Sequence, residues 1–403
     1  MPGTHVDDLI YVAAGSAKGD SAYVVAMPSG EIVARIDGPD RRGWVFASPT
    51  LAYYPMRRDS RDSSNTIHRM DLRTGVRARI ITDERLGLPF LDEAGRFEQT
   101  GPGFTALALT ADRAGLVVAR VLSAPPRVWI GLYDASNGTL QTERSWPITA
   151  TSANAQIALA GDLFVVVTSA RTDDGRVVQE VRFLDASLRE VHVLSASDLP
   201  PDERCSAAVQ ALGGERLVTV CAQPEGRRHA SVLILDGTYR ITARVPLTLE
   251  VRERVIAWTP RGGSVAILTD RARLIQVGGE GAPISSWLAE PDGRTAVRVM
   301  RLIAPGVVVA QLVANPEGAL VGETTLVDLA TGRVLARASG PATALDFVGA
   351  GDRLYALLPG GDGFAPRLQR LDRESLAPFG FAAALPQRDD VTVGGLIAVV
   401  PAR

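Results

Sequence analysis

Two cysteines, four scattered histidines and a few close-set arginines are the side chains of this sequence best suited to chemistry. Cys205 and Cys221 flank Leu212-Gly213-Gly214-Glu215, a hairpin turn by composition. With two central residues in that turn, Leu212 pairs with Glu215, Cys205 faces Ala222, and Cys221 points to the other side of the sheet. With one extra residue in the loop the cysteines stand directly opposite, the geometry a disulfide needs, with Cα atoms within about 7 Å. Cys205 and Cys221 are therefore a candidate disulfide, with two buried thiols as the alternative. A bridge favours an extracytoplasmic site.

His5, His68, His192 and His229 are dispersed and no two have zinc-like spacing. Asp173-Asp174-Gly175 and Gly361-Asp362-Gly363 fall short of the roughly six oxygens that calcium takes. Neither Ala14-Gly15-Ser16-Ala17 nor Gly262-Gly263-Ser264-Val265-Ala266 has the frame of a nucleophile elbow. Gly101-Pro102-Gly103 lacks the third glycine of a dinucleotide fingerprint, and there is no P-loop. The reading assigns no catalytic residue, no metal and no cofactor.

Binding chemistry is better represented. Arg57, Arg58 and Arg61 alternate with Asp59 and Asp62, and Arg227 and Arg228 follow Glu225. Guanidinium forks of this kind match carboxylates, although the interleaved acids also allow the loops to pair with themselves. Asp83 to Phe104 is the outlying connection and carries Phe90, Asp92, Glu93, Arg96 and Phe97. Connections beyond about 12–15 residues are usually functional or disordered; packing its own aromatics against the rim is the other reading.

The elements that must position these residues are written as a repeat. Apolar strands run into turns such as Met70-Asp71-Leu72-Arg73-Thr74-Gly75-Val76, Tyr133-Asp134-Ala135-Ser136-Asn137-Gly138-Thr139 and Val327-Asp328-Leu329-Ala330-Thr331-Gly332-Arg333. Looser copies are centred on Asp185, Asp236 and Asp372, while Met27-Pro28-Ser29-Gly30 and Val277-Gly278-Gly279-Glu280-Gly281 hold the same place without the Asp. The interval is about 50 residues, within the range of propeller repeats. In such a turn the carboxylate accepts backbone N–H groups and glycine supplies the positive φ, so these aspartates are read as structural.

Each repeat divides into four short strands, a to d. Repeat three, for example, gives Thr105–Leu109, Gly115–Val121, Val128–Tyr133 and Leu140–Trp146. Second strands such as Leu163-Phe164-Val165-Val166-Val167 are apolar on both faces, which requires cover on both sides. The chain starts on a second strand, Leu9 to Ala13, and ends on Val391 to Val393 and Leu396 to Val400, which supply the missing inner strand of blade one. The expected fold is all-β, a single propeller domain over residues 1–403 with eight four-stranded antiparallel blades, seven being the alternative.

These turns and strands resemble the bacterial propellers of the broad YVTN, quinoprotein-like and WD-repeat class. The resemblance implies the fold. Where quinoprotein blades place a tryptophan after the Thr-Gly turn, this chain has Ala78 and Arg79, or Ala336 and Arg337, so no pyrroloquinoline quinone is expected.

Formal net charge is −2, with 46% apolar and 22% charged residues, which gives no footprint for nucleic acid. No apolar run reaches the ~18 residues of a membrane span, and the first residues do not form a leader. The expectation is a monomeric, non-catalytic propeller outside the cytoplasm, its leader not included in the chain. It would hold a protein or small ligand on the face of the b-to-c and d-to-a connections, the longer and more variable set. The alternatives are a lactonase-like hydrolase with carboxylates or a metal at the central channel, and a sensor module of a membrane-anchored protein.

Overall fold

The computed structural model describes residues 8–16, 19–37, 44–56, 66–82, 106–123, 126–148, 152–171, 177–201, 203–223, 229–261, 263–278, 283–288, 296–304, 307–314, 321–329, 331–340, 344–360, 365–380, 382–385 and 391–400. Eight antiparallel sheets form the ring of an eight-bladed β-propeller. Blade one runs, from inside outward, Val391–Val400, Asp8–Ser16, Gly19–Met27 and Ile32–Asp37. Blade two is Val45–Ser48, Leu51–Met56, Thr66–Asp71 and Arg77–Thr82. In blade five the inner strand is broken into Arg204–Cys205 and Gln210–Gly213, both paired to Arg216–Ala222. No helix among the described residues is long and apolar enough to cross a membrane.

The doubly apolar second strands are covered on both sides. Phe164 and Val166 pack with Val117, Ala119 and Ile130 of blade three. Val165 and Val167, one residue out of phase, pack with Cys205, Val209 and Leu233 of blade five. Alternation of side chains across a strand thus sends each second strand into two separate cores, and each fully buried Val or Phe contributes about 1.5–3 kcal/mol.

The turns work through their aspartates. Asp71 Oδ1 accepts the amides of Arg73 at 2.8 Å and Thr74 at 2.9 Å. Asp134 and Asp372 accept the equivalent pairs, while Asp185 and Asp236 accept the amides two and four residues on. Gly75, Gly138 and Gly332 take φ of 69°, 75° and 68°. In the looser copies the left-handed position belongs instead to Leu188, Tyr239 and Leu376, at 60°, 66° and 57°. Packing offsets the conformational cost there: Leu188 and Leu376 are buried, and Tyr239 stacks on Phe183. In blade one Ala26 stands where the Asp is missing, and the Gly30 amide still closes onto the Ala26 carbonyl at 2.8 Å.

Tyrosines tie three consecutive blade junctions. The Tyr53 hydroxyl on strand b of blade two donates to the Ala135 carbonyl in the turn of blade three at 2.9 Å. Tyr11, at the equivalent place in blade one, donates to Leu72 in the matching turn position of blade two. Tyr355 of blade eight donates to the buried Asp8 carboxylate of blade one, which also pairs with Arg353 at 3.2 Å.

The C-terminal segment closes the ring as one strand, not two. It pairs antiparallel with Leu9–Ser16, with single-residue bulges between the Leu396 and Ala398 pairings and between the Val393 and Gly395 pairings. On its other side the Leu396 amide donates to Asp346 of blade eight at 2.8 Å.

Candidate functional site

In each blade the b-to-c and d-to-a connections leave from the end opposite the Asp turns. The stems of two predicted binding loops are described: Met56 pairs with Thr66 in blade two, and the Gln223 amide donates to the His229 carbonyl at 3.1 Å in blade five. The predicted residues themselves, Arg57, Arg58, Arg61, Phe90, Asp92, Glu93, Arg96, Phe97, Arg227 and Arg228, lie outside the described residues. So do His5, Asp173, Asp174 and Asp362.

On the inner strands, Asp346 of blade eight holds a bidentate pair with Arg301 of blade seven. Nε to Oδ1 and Nη2 to Oδ2 are both 2.7 Å. Oδ1 also accepts the Phe347 amide and Oδ2 the Leu396 amide, each at 2.8 Å. A carboxylate offers about four lone-pair sites, and all of them are taken. Arg301 reaches on to the Leu396 carbonyl at 3.1 Å, so three blades meet at this one acid.

Cys205 and Cys221 are directly opposite each other, with sulfurs bonded at 2.06 Å. The register arises from a break in the inner strand. Gln210 pairs with Val218 while Cys205 pairs with Cys221, so two extra residues on the inner strand are absorbed between them. Just before this strand, Glu203 is 4% exposed and accepts the Ser231 hydroxyl at 3.1 Å and the Arg244 guanidinium at 3.3 Å. Burial raises its pKa despite these two partners, and its Oε2 has no hydrogen-bond partner.

Blade six contributes the turns 249–254 and 269–273 to the long-loop face. The d-to-a turn at 249–254 rests on Glu253, which is fully buried. Its carboxylate accepts the Glu250 amide at 2.7 Å, the Thr269 hydroxyl at 2.6 Å and both arms of Arg273 at 2.9 and 2.6 Å. Although burial opposes it, the hydrogen bonds from Arg273, Glu250 and Thr269 hold this carboxyl below the usual range. Above it Arg252 adopts φ of 66°, a conformation that costs an ordinary residue roughly 1–2 kcal/mol. Alongside, Arg254 is tied to Asp270 through its backbone amide at 2.8 Å and its Nε at 3.0 Å.

The remaining candidate groups are structural. Hydrogen bonds from Thr74 lower the Asp71 pKa, and those from Ser136, Thr238 and Ser375 do the same for Asp134, Asp236 and Asp372. His68 stacks on Tyr54 and contacts the Thr66 hydroxyl at 2.9 Å. Burial, reinforced by Arg77 and Arg79, lowers its pKa to about 4, so it is neutral at pH 7. Among the described residues no three His, Cys, Asp or Glu side chains converge in a metal-binding cluster.

Sequence reasoning did not find the Arg301–Asp346 pair, Glu203 or the Glu253 support. The only available signal was an acid next to an inner strand, in a chain with acids throughout.

No known family model matches this chain, and no curated protein matches it. Among solved structures, a prolyl endopeptidase is similar at 12% identity and a TM-score of 0.50, over 87% of this chain and 50% of that one. The chain therefore spans about half the length of that endopeptidase. Sqt1 from Saccharomyces cerevisiae is similar at 14% identity, with a TM-score of 0.49 over 83% of this chain and 82% of Sqt1. BamB from Moraxella catarrhalis is 11% identical, with a TM-score of 0.39 over 71% of this chain and 77% of BamB. At these identities the likeness concerns the fold alone.

Proposed function

We propose that this propeller is a non-catalytic binding protein that holds another protein, or a small ligand, on the face of its b-to-c and d-to-a connections. The observation that carries the reading is the saturation of Asp346. Asp346, the inner-strand carboxylate shared by three blades, spends all of its lone pairs on Arg301 and two backbone amides, which supports a structural role for it. The turn aspartates are similarly occupied by backbone amides on the opposite face. Uneven loop lengths concentrate variation on the long-loop face, where a rigid scaffold can present it.

Removing residues 88–96 tests this choice of face. The shortened protein is expected to keep its melting temperature and to lose partners captured from native lysate. Capture identical to that of the intact chain, by a folded deletion variant, overturns the reading.

A further inference from the structure

From the blade-six turn we infer that the long-loop face docks an extended, carboxylate-bearing segment of a partner protein, with Arg252 and Arg271 as the forks that receive it and Val251 as an apolar contact between them. The inference rests on the reading of that face as the binding face and adds the chemistry of the partner.

Four arginines converge in the segments 249–254 and 269–273, and two of them are consumed internally, Arg273 by Glu253 and Arg254 by Asp270. Among the described residues Arg252 has no ion-pair partner, and Arg271 makes only a 3.5 Å contact to the Val251 carbonyl. Glu250 is the one acid in the two segments left outside these pairs. Val251 is 51% exposed at the tip of the turn. Guanidinium groups that lack acids of their own and flank an exposed valine match a strand of alternating acidic and apolar residues, because each fork takes a carboxylate in bidentate fashion.

The tip is also held in advance. Arg252 keeps a left-handed backbone because the Glu250 amide is fixed by a buried carboxylate two residues beyond the tip. Backbone strain persists only where the surroundings over-determine it, and it gathers at binding sites. A partner then meets an ordered turn, and less entropy is lost on association.

The probe is a fluorescein-labelled peptide of alternating glutamate and leucine, with an alternating lysine and leucine peptide as its counterpart, read by fluorescence anisotropy on the full chain. Saturable binding of the acidic peptide is expected, weakened at least tenfold in the double variant Arg252→Glu, Arg271→Glu and absent for the basic peptide. Equal binding by the double variant, equal binding of the basic peptide, or no saturable binding overturns the inference. Arg252 is exposed and Arg271 half-buried, and an unchanged melting temperature establishes that the variant is folded. The 88–96 deletion separates the two claims. If it abolishes lysate capture while the double variant retains it, the face is right and the blade-six docking point is wrong.

Discussion

The Arg301 guanidinium lies side by side with the Asp346 carboxylate on the inner strands, both contacts at 2.7 Å, and the same carboxylate takes the Leu396 amide of the closing strand. This one acid thus ties blades seven, eight and one together where the ring closes.

Replacing Asp346 with Ala leaves the buried amides of Phe347 and Leu396 without an acceptor. Each unsatisfied buried amide costs about 1–3 kcal/mol, so urea unfolding is expected to report a loss of about 2–6 kcal/mol for the two. Hydrogen exchange at residues 396–400 is expected to accelerate more than exchange in blade four. A stability change below about 0.5 kcal/mol, the range of an ordinary surface substitution, contradicts the latch.

The tyrosine ties predict an alkaline limit to stability. Burial is the largest cause raising the pKa of Tyr11, Tyr53 and Tyr355 above the ordinary tyrosine value. The folded chain therefore keeps these protons after the unfolded chain has begun to release its own near pH ~10. Stability from this source is fully present below that pH and is lost as pH rises toward the folded values. The triple variant with Phe at all three positions is expected to be less stable at neutral pH, by about 1 kcal/mol per lost hydroxyl contact, and to show a shallower decline above pH ~10. Parallel curves for the two proteins refute the assignment.

Gly138 and Gly75 occupy equivalent turn positions with similar positive φ, yet their surroundings differ. A Cβ on Gly138 would sit 1.7 Å from the Ile80 carbonyl oxygen, whereas one on Gly75 meets nothing within 4 Å. Gly75→Ala is expected to cost about 1 kcal/mol for the backbone alone. Gly138→Ala also forces blades two and three apart, and should cost about 3 kcal/mol or more, since overpacking adds its own 1–3 kcal/mol. Equal thermal shifts for the two variants would show that the blade contact is not rigid.

Cys205 and Cys221 are both buried. Alkylation after denaturation without reductant is expected to add no label, and two labels after denaturation with reductant. Closing a loop of this length stabilises by about 3 kcal/mol, so the double Ala variant should unfold at correspondingly lower urea. Two labels without reductant would show free thiols.

The blade count was legible because a turn needing Asp, Ser or Thr and Gly must reuse those residues wherever it recurs, and each copy marks the end of a third strand. Strand starts followed: the second and fourth strands expected in repeat three begin at Gly115 and Leu140, where the structure begins Gly115–Ser123 and Leu140–Pro147. Arg301, Asp346 and Leu396 were not legible, because contacts 45 and 50 residues apart depend on which blades adjoin and leave no local pattern. The Tyr11 and Tyr53 ties use carbonyl acceptors, which have no sequence signature at all, and Tyr355 reaches the Asp8 carboxylate 347 residues away. For the cysteines the sequence left two registers open. The turn takes neither, pairing Gly213 with Arg216, and the break between Cys205 and Gln210 then brings the cysteines opposite each other; strand breaks have no residue code as strong as that of the turn. The predicted binding residues on the long loops stand as proposals.

The most direct measurement of the binding account compares the two faces in one experiment. One variant reverses Arg57, Arg58, Arg61, Arg227 and Arg228 to Glu; the other reverses Arg73, Arg189, Arg240, Arg333 and Arg373 beside the Asp turns. Both are immobilised at equal density, and partners retained from native lysate are quantified by mass spectrometry. The account predicts that the first variant loses at least 90%, about a tenfold drop for 1.4 kcal/mol, of the partners held by the intact chain, while the second keeps them. Retention by the first and loss by the second would contradict it.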